Sequence, residues 1–485
     1  MKLKDVLRDL PTAQLFADPE LEIGGICCDS RAVKPGDLFV AVRGFSSDGH
    51  KYIPMAVQKG CAAVLCEEAP GIEVPYAVTS DSRLGLALAA CGFYRHPSRE
   101  MKIIGVTGTN GKTTTTVLVK QILEKCLRAK VGLVGSISNM IGEQEFHTEH
   151  TTPESNDLQQ LFRQMADAGC TYCVMEVSSH SLALNRVAGT HFAAGLFTNL
   201  TQDHLDFHNT MEEYARAKAL LFPMCEKAAA NIDDPWADTV MADAPQPVYT
   251  FSTMRNEADL VARDIRLSVD GVRFCALEGN DLVRVRLDLP GQFSVYNALA
   301  AIACARMAGV PLKDAAEALA GARGAKGRVE SVPTDGDYSI FIDYAVTPDA
   351  VENVLKTLRP VAKGRLVMLF GCGGDRDRKK RPVMGGIAAD LSDFVIVTSD
   401  NPRTEDPDAI IAEILPGLQN KKTPYTVIPD RPAAIRWAIE NHQPGDLILL
   451  CGKGHEDYQI IGHEKIHMDE REIVADILRE REERQ

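Results

Sequence analysis

KIIGVTGTNGKTT, residues 102–114, carries an apolar segment from Lys102 to Val106 into a glycine-rich turn, then into a helix-compatible run from Lys112 to about Cys126. Strand, turn and helix in that order are the nucleotide-binding unit of a parallel α/β sheet. The usual phosphate-loop pattern has a glycine five residues before its Gly-Lys pair. Val106 holds that place here, with Gly105 and Gly108 on either side. The physics survives the change, because consecutive backbone N–H groups at a helix N-terminus still wrap phosphate oxygens. Lys112 can reach the β and γ oxygens, and the Thr113 hydroxyl suits magnesium. A plain glycine turn is the bland reading, but Lys-Thr at a helix start after a buried strand favours phosphate binding.

Other unusual polar sequences also follow apolar strand-like runs. EVSSH closes Tyr172 to Val177, and TNLTQDH follows Ala194 to Phe197. GCGGDRDR, SDNPR and GKGHED follow the runs Arg365 to Phe370, Phe394 to Thr398 and Asp446 to Cys451. Ligands of open parallel sheets bind beyond the carboxyl ends of the strands, so this shared placement predicts one composite site built from more than one domain. Glu176, at a strand end, is a candidate magnesium ligand. His204 and His208 lie four apart, but Leu205 stands where a zinc protease needs glutamate, which excludes that reading. The run Asp375 to Arg381 is the densest basic cluster, and Arg376 or Arg403 would suit bidentate capture of a carboxylate.

The whole chain of 485 residues is too long for one core, and its patterns divide it into 1–98, 99–331 and 332–485. The first region has short strand signals at Asp37 to Val42 and Ala62 to Cys66. A net charge of −14 disfavours nucleic acid as a partner. The longest apolar runs are strand-sized, so no membrane span is expected, and the N-terminal residues do not read as an export signal. A cytoplasmic location follows as an expectation. Thirteen cysteines then read as mostly buried thiols. Cys170 and Cys173 form a C-x-x-C without a second ligand pair and read as core. The C-terminal stretch Asp469 to Gln485, with its stripe Ile473, Val474, Ile477 and Leu478, reads as a surface helix.

Taken together, GTNGKTT, MEVSSH, TNLTQDHLD, the lysine of YARAK, GRVE, DYAVTPD, GCGGDRDRKKRP, DNPR and GKGHEDYQ resemble the Mur ligase family over nearly the whole chain. The resemblance implies an α/β protein of three domains: a smaller N-terminal α/β domain for a UDP-linked substrate, a central P-loop ATPase with a mostly parallel sheet, and a C-terminal Rossmann-like domain. It implies an ATP-dependent ligase, acting as a monomer, that adds meso-2,6-diaminopimelate to the D-glutamate of UDP-N-acetylmuramoyl-L-alanyl-D-glutamate through an acyl phosphate. Lysine-adding relatives and folylpolyglutamate synthase are the alternatives within this chemistry. A nucleotide-dependent switch would not need the second basic loop.

Carried over position by position, the resemblance assigns ATP to Gly108, Thr109, Asn110, Gly111, Lys112, Thr113 and Thr114, with Asn297, Arg328 and Asp343 meeting base and ribose. Thr113 and Glu176 would hold one magnesium ion, and His204 with Lys218, carboxylated on its amine, a second metal. Cys28, Ser30, Thr151, Thr152, Ser178 and Arg186 fall to the UDP-linked substrate. Arg376, Asp400, Asn401, Pro402, Arg403, Gly452 and Glu456 fall to diaminopimelate. Three departures, Leu184, Ser294 and Val346, touch minor contacts only.

Overall fold

The computed structural model describes residues 1–10, 13–44, 47–148, 150–322 and 324–483, and the backbone but not the side chain of Asp206. The chain divides into two compact units, one of residues 1–261 and 299–315, the other of 262–298 and 316–485.

The first unit begins with a five-stranded sheet in the order Gln14–Phe16, Tyr76–Val78, Ala63–Cys66, Asp37–Val40, Gly25–Cys27, parallel except at Gln14–Phe16. Helix Ser82–Phe93 packs on it, capped by Asp81, whose carboxylate accepts the N–H groups of Arg83 and Leu84. Such a cap is worth about 1 kcal/mol. A larger sheet follows, in which Ala194–Phe197, Lys102–Thr107, Tyr172–Glu176 and Val131–Val134 run side by side and parallel. Their apolar runs are continuous because both faces are covered, as parallel strands require. Met101, Ile103, Cys173, Met175, Phe192 and Phe197 share one core. Cys170 and Cys173 are both buried, free thiols of that core.

Register matters most for the site. Glu176 lies opposite Val106, and Phe197 opposite Thr107, so three adjacent strands end abreast. Their following loops therefore open at one edge.

The second unit holds a six-stranded sheet in the order Glu330–Val332, Ser339–Asp343, Leu447–Cys451, Leu366–Phe370, Phe394–Val397, Tyr425–Val427. Only its edge strand Glu330–Val332 is antiparallel. Cys451 lies opposite both Asp343 and Phe370, so here too the strands finish level. Separate cores cover the two faces. Helix Glu470–Glu482 buries Val474 and Ile477 of the predicted stripe; Arg484 and Gln485, at the end of the predicted stretch, lie outside the described residues. An antiparallel pair, Tyr458–Ile461 with Glu464–His467, follows the last parallel strand.

Candidate active site

The phosphate loop is shaped by two glycines, Gly108 with φ of +146° and Gly111 with +85°. Only glycine adopts such backbone cheaply, and a Cβ on Gly108 would also overlap Thr198 Oγ1. The loop is laced to the segment after Phe197: the N–H groups of Thr109 and Asn110 donate to Asn199 O and Oδ1 at 2.8 and 2.9 Å, and Thr198 Oγ1 donates to Asn110 O at 2.8 Å. TNLTQDH is thus partly a scaffold for the cradle. Lys112 folds back over it, its Nζ donating to Gly108 O and Thr109 O, each at 2.9 Å.

Lys218 reaches the same carbonyl from helix Met211–Ala219, donating to Gly108 O at 2.8 Å. It is 1% exposed, and its Nζ stands 4.3 Å from the centre of the Tyr214 ring. Burial first, then the neighbouring charge of Lys112, push this amine well below its usual range. The Tyr214 hydroxyl lies 3.2 Å from Thr109 Oγ1, so one tyrosine braces both the lysine and the loop.

His204 takes the left-handed backbone at φ +53° and sets its ring 4.7 Å from that of His180. His208 turns inward instead, buried, with Nε2 2.8 Å from Ser179 Oγ. Burial, then the positive fields of His180, Lys218 and His204, lower it to about 4. The four-residue spacing of the two histidines therefore does not direct them to one ligand.

Glu176 is buried at its strand end, accepting the Ser136 N–H on Oε1 at 2.8 Å and the Ser136 hydroxyl on Oε2 at 3.1 Å. The same hydroxyl oxygen is 3.0 Å from Thr151 Oγ1. Thr152 Oγ1 donates to Glu176 O at 2.8 Å and accepts the Ser178 N–H at 3.2 Å. Arg186 Nη1 donates to Thr152 O at 3.2 Å. Four of the six residues assigned to the UDP-linked substrate thus join Glu176 in one hydrogen-bonded group. Cys28 and Ser30 follow the strand Gly25–Cys27; Cys28 Sγ is 3.9 Å from Asn156 Oδ1, and burial pushes its thiol up to about 12.

The donor set fits a first magnesium ion: a buried carboxylate and a hydroxyl are hard oxygen ligands, and magnesium keeps water and phosphate oxygens for the rest. The second set does not fit as it stands, because Lys218 is an amine giving a hydrogen bond. Among the described residues no group of three His, Cys, Asp or Glu is arranged to hold a metal.

In the second unit Arg403 has φ of +51°, and Nη1 donates to Gly374 O at 2.9 Å. A Cβ on Gly373 would lie 2.9 Å from Arg403 Nη1 and 3.7 Å from Arg376 Cγ, so the bare glycine lets both side chains flank one spot. Two further arginines of the basic run serve the fold. Arg381 is fully buried and bonds Glu405, Glu413 and Gly373 O, holding Glu405 at about 2, and Arg378 pairs with Glu413. Asp400 and Asn401 are buried beside Gly452 and Glu456: Asn401 Nδ2 donates to Glu456 Oε2 at 2.9 Å, and a Cβ on Gly452 would come 2.8 Å from Asp400 Oδ2. Pro402 precedes Arg403, and its carbonyl accepts the Glu405 N–H.

The nucleotide candidates Asn297, Arg328 and Asp343 also belong to this unit. Asp343 accepts the N–H groups of Val329 at 2.8 Å and Ala345 at 2.9 Å, and burial raises it. It therefore staples the loops at its strand end. Arg328 lies over the Tyr344 ring at 5.2 Å, and Asn297 is buried in helix Gln292–Met307. Of the departures, Ser294 is buried with its hydroxyl on Pro290 O, Val346 offers its carbonyl to Lys380, and Leu184 follows the short helix Ser179–Ala183.

Residues 106–305 match the Mur ligase middle domain, 327–454 the Mur ligase glutamate ligase domain, and 22–86 the Mur ligase family catalytic domain. The UDP-N-acetylmuramoyl-L-alanyl-D-glutamate--2,6-diaminopimelate ligase of Caldanaerobacter subterraneus subsp. tengcongensis is 47% identical over 487 residues, covering 99% of this chain and all of that one. The chain belongs to the Mur ligase family. A solved structure of a UDP-N-acetylmuramoyl-L-alanyl-D-glutamate--2,6-diaminopimelate ligase superposes on this Mur ligase with a TM-score of 0.74 at 33% identity, over 99% of each chain. The MurF ligase from Thermotoga maritima, solved in complex with ADP, shares its fold at 19% identity, with a TM-score of 0.60 over 95% of this chain and 98% of that one.

Sequence motifs alone do not single out Ser136, Asn199, Tyr214, Lys453 or Thr201, whose carbonyl oxygen accepts from Thr109 Oγ1 at 3.2 Å. Asn199 and Thr201 lie inside TNLTQDH, Tyr214 inside YARAK and Lys453 inside GKGHE, so a signal existed in the strings. Ser136 had none, since it meets Glu176 across 40 residues of sequence.

Proposed function

We propose that this Mur ligase uses ATP to join meso-2,6-diaminopimelate to the D-glutamate of UDP-N-acetylmuramoyl-L-alanyl-D-glutamate, a step of peptidoglycan synthesis. The observation that carries the choice of amino acid is the pair Arg376 and Arg403 flanking Gly373. A second carboxylate on the incoming amino acid suits two guanidinium groups, and lysine, lacking it, leaves them unpaired.

The γ-phosphoryl group of ATP passes to the glutamate side-chain carboxylate. An amine of diaminopimelate then attacks the acyl carbon, forming the C–N bond, and phosphate leaves with the C–O electrons. The protein positions and compensates charge, and needs to make no covalent bond itself. The backbone of 108–113 and Lys112 bind the phosphates. Thr113 and Glu176 would hold magnesium, which offsets phosphate charge when bound. Ser136 fixes Glu176 and touches Thr151, so the substrate threonines and the carboxylate are oriented together. Lys218 is carboxylated in this reading: its amine, as the free base, adds CO2 and loses a proton, giving an anion that, with His204, suits a second divalent ion. The depressed, buried amine supports this, since only the free base is nucleophilic.

The domain limits 1–98, 99–331 and 332–485 are proposed alongside, supported by separate hydrophobic cores under the separate sheets. So are monomeric action and a cytoplasmic location; among the described residues no helix is long and apolar enough to cross a membrane.

The test is competition between meso-diaminopimelate and L-lysine, with phosphate release followed. Release should require both the UDP-linked dipeptide and the amino acid, and diaminopimelate should win by about a hundredfold or more. A preference for lysine would assign the chain to the lysine-adding branch.

A further inference from the structure

Lys453 lies in the middle of the loop Gly452 to Glu456, and its side chain is fully buried. An ammonium survives there only if its donors are met. Nζ donates to Glu456 Oε2 at 2.6 Å and to Asn401 Oδ1 at 2.8 Å, and stands 3.9 Å from Asp400 Oδ1. Asn401 closes the triangle, its Nδ2 donating to the same Glu456 oxygen. Its Oδ1 also accepts the Ile460 N–H at 2.9 Å, and Ile460 O accepts the N–H of Arg403 at 3.0 Å. One ammonium therefore ties together the turn that carries Arg403, the loop that carries Glu456 and the strand Tyr458–Ile461.

The charges around it are unequal. Asp400, Glu456 and Glu470 face Lys453 and Arg431, with Arg431 fully buried and 2.8 Å from Glu470. Three carboxylates against two cations leave this nest negative, while Arg403 and Arg376 beside it are positive. Charged groups of both signs on these neighbouring loops match a group that carries an ammonium and a carboxylate on one carbon. Lysine's side-chain end has the ammonium alone.

We infer that Lys453 is a specificity-determining positioning residue, holding the Glu456 carboxylate against the Arg403 turn at the separation a zwitterionic amino-acid end requires. This rests on the reading that these loops take the distal end of diaminopimelate. Lys453 touches no reacting atom in this view; it acts through Glu456 and Asn401.

The test is steady-state kinetics of Lys453→Met, which keeps the stem and deletes the charge. The KM for meso-diaminopimelate should rise about ten- to a hundredfold, the loss of charge-assisted hydrogen bonds to two partners. The KM values for ATP and the UDP-linked dipeptide should stay within about threefold, and the preference for diaminopimelate over lysine should fall about tenfold or more. In the double variant with Glu456→Gln the two KM effects should be less than multiplicative, since one residue works through the other. An unchanged KM for diaminopimelate, an unchanged preference, or fully multiplicative effects would each overturn the inference. If Lys453→Met no longer melts cooperatively, Lys453→Gln takes its place; it keeps a donor for Asn401 and should still raise that KM severalfold, and no rise overturns the inference. The wild type run in parallel separates the two levels. If it does not prefer diaminopimelate, the proposed function fails; if it does and the variant keeps that preference, only the role of Lys453 fails.

Discussion

Around Gly108 the first unit offers main-chain N–H groups, a helix start and two lysines leaning on one carbonyl oxygen. Around Gly373 the second unit offers guanidinium groups beside a nest of carboxylates crossed by a buried ammonium. Both regions are proposed to bind anions, yet they differ in what can be replaced. A phosphate cradle of backbone is generic, because any triphosphate presents the same oxygens. A set of placed side-chain charges is selective, because a ligand lacking one charge leaves its partner unmatched. The first region should therefore govern whether chemistry occurs, the second which amine is used.

The comparison breaks most severely at Lys218. Lys218→Ala should lower kcat by about a thousandfold, the size of losing one preorganised electrostatic group. Short-chain carboxylic acids should restore part of the activity by supplying the missing anion. Full activity without them would remove the lysine from catalysis.

Arg403→Ala sharpens the other side. The KM for diaminopimelate should rise about a hundredfold while that for ATP stays put, the loss of a bidentate charge-assisted contact. Equal effects on both substrates would erase the distinction between the two regions.

The smallest effect expected is on acid stability. The His208 imidazole is held at about 4 in the folded protein, against about 6.5 when unfolded. Protons therefore bind the unfolded chain first, and stability falls as pH drops from about 6.5 towards 4. The cost at pH 4.5 should be about 2.5 kcal/mol. His208→Gln should flatten the dependence of melting temperature on pH in that window. An unaltered slope would show that the buried histidine is not the group titrating.

The phosphate region was legible because its parts are contiguous. Gly108 to Thr114 are adjacent in the chain, and a strand-turn-helix imposes their geometry locally. The amino-acid region was legible only in outline. Apart from the family resemblance, which picks out Arg376, the sequence from Asp375 to Arg381 shows several basic residues and gives no reason to separate them. Packing does so: Arg381 is enclosed by Glu405 and Glu413, Arg378 is paired with Glu413, and Arg376 remains beside Arg403. Lys453 lies inside GKGHE, but its role there was not legible, since its partner Asn401 is 52 residues away. For the two histidines of DHLDFH, whose zinc reading Leu205 already excludes, the structure adds that His204 lies in a left-handed backbone before the helix Leu205–His208.

The sequence by itself determined the strands, the glycine turns at their ends and the family to which the chain belongs, because these depend on local backbone preference, apolar patterning and contiguous motifs. Only the tertiary structure decided that Lys218 is a buried amine on Gly108, that Glu176 is fixed by Ser136 and that Lys453 joins the loops of Arg403 and Glu456. Those facts concern the energy of charges, which follows from burial and from distance through space rather than from spacing along a chain.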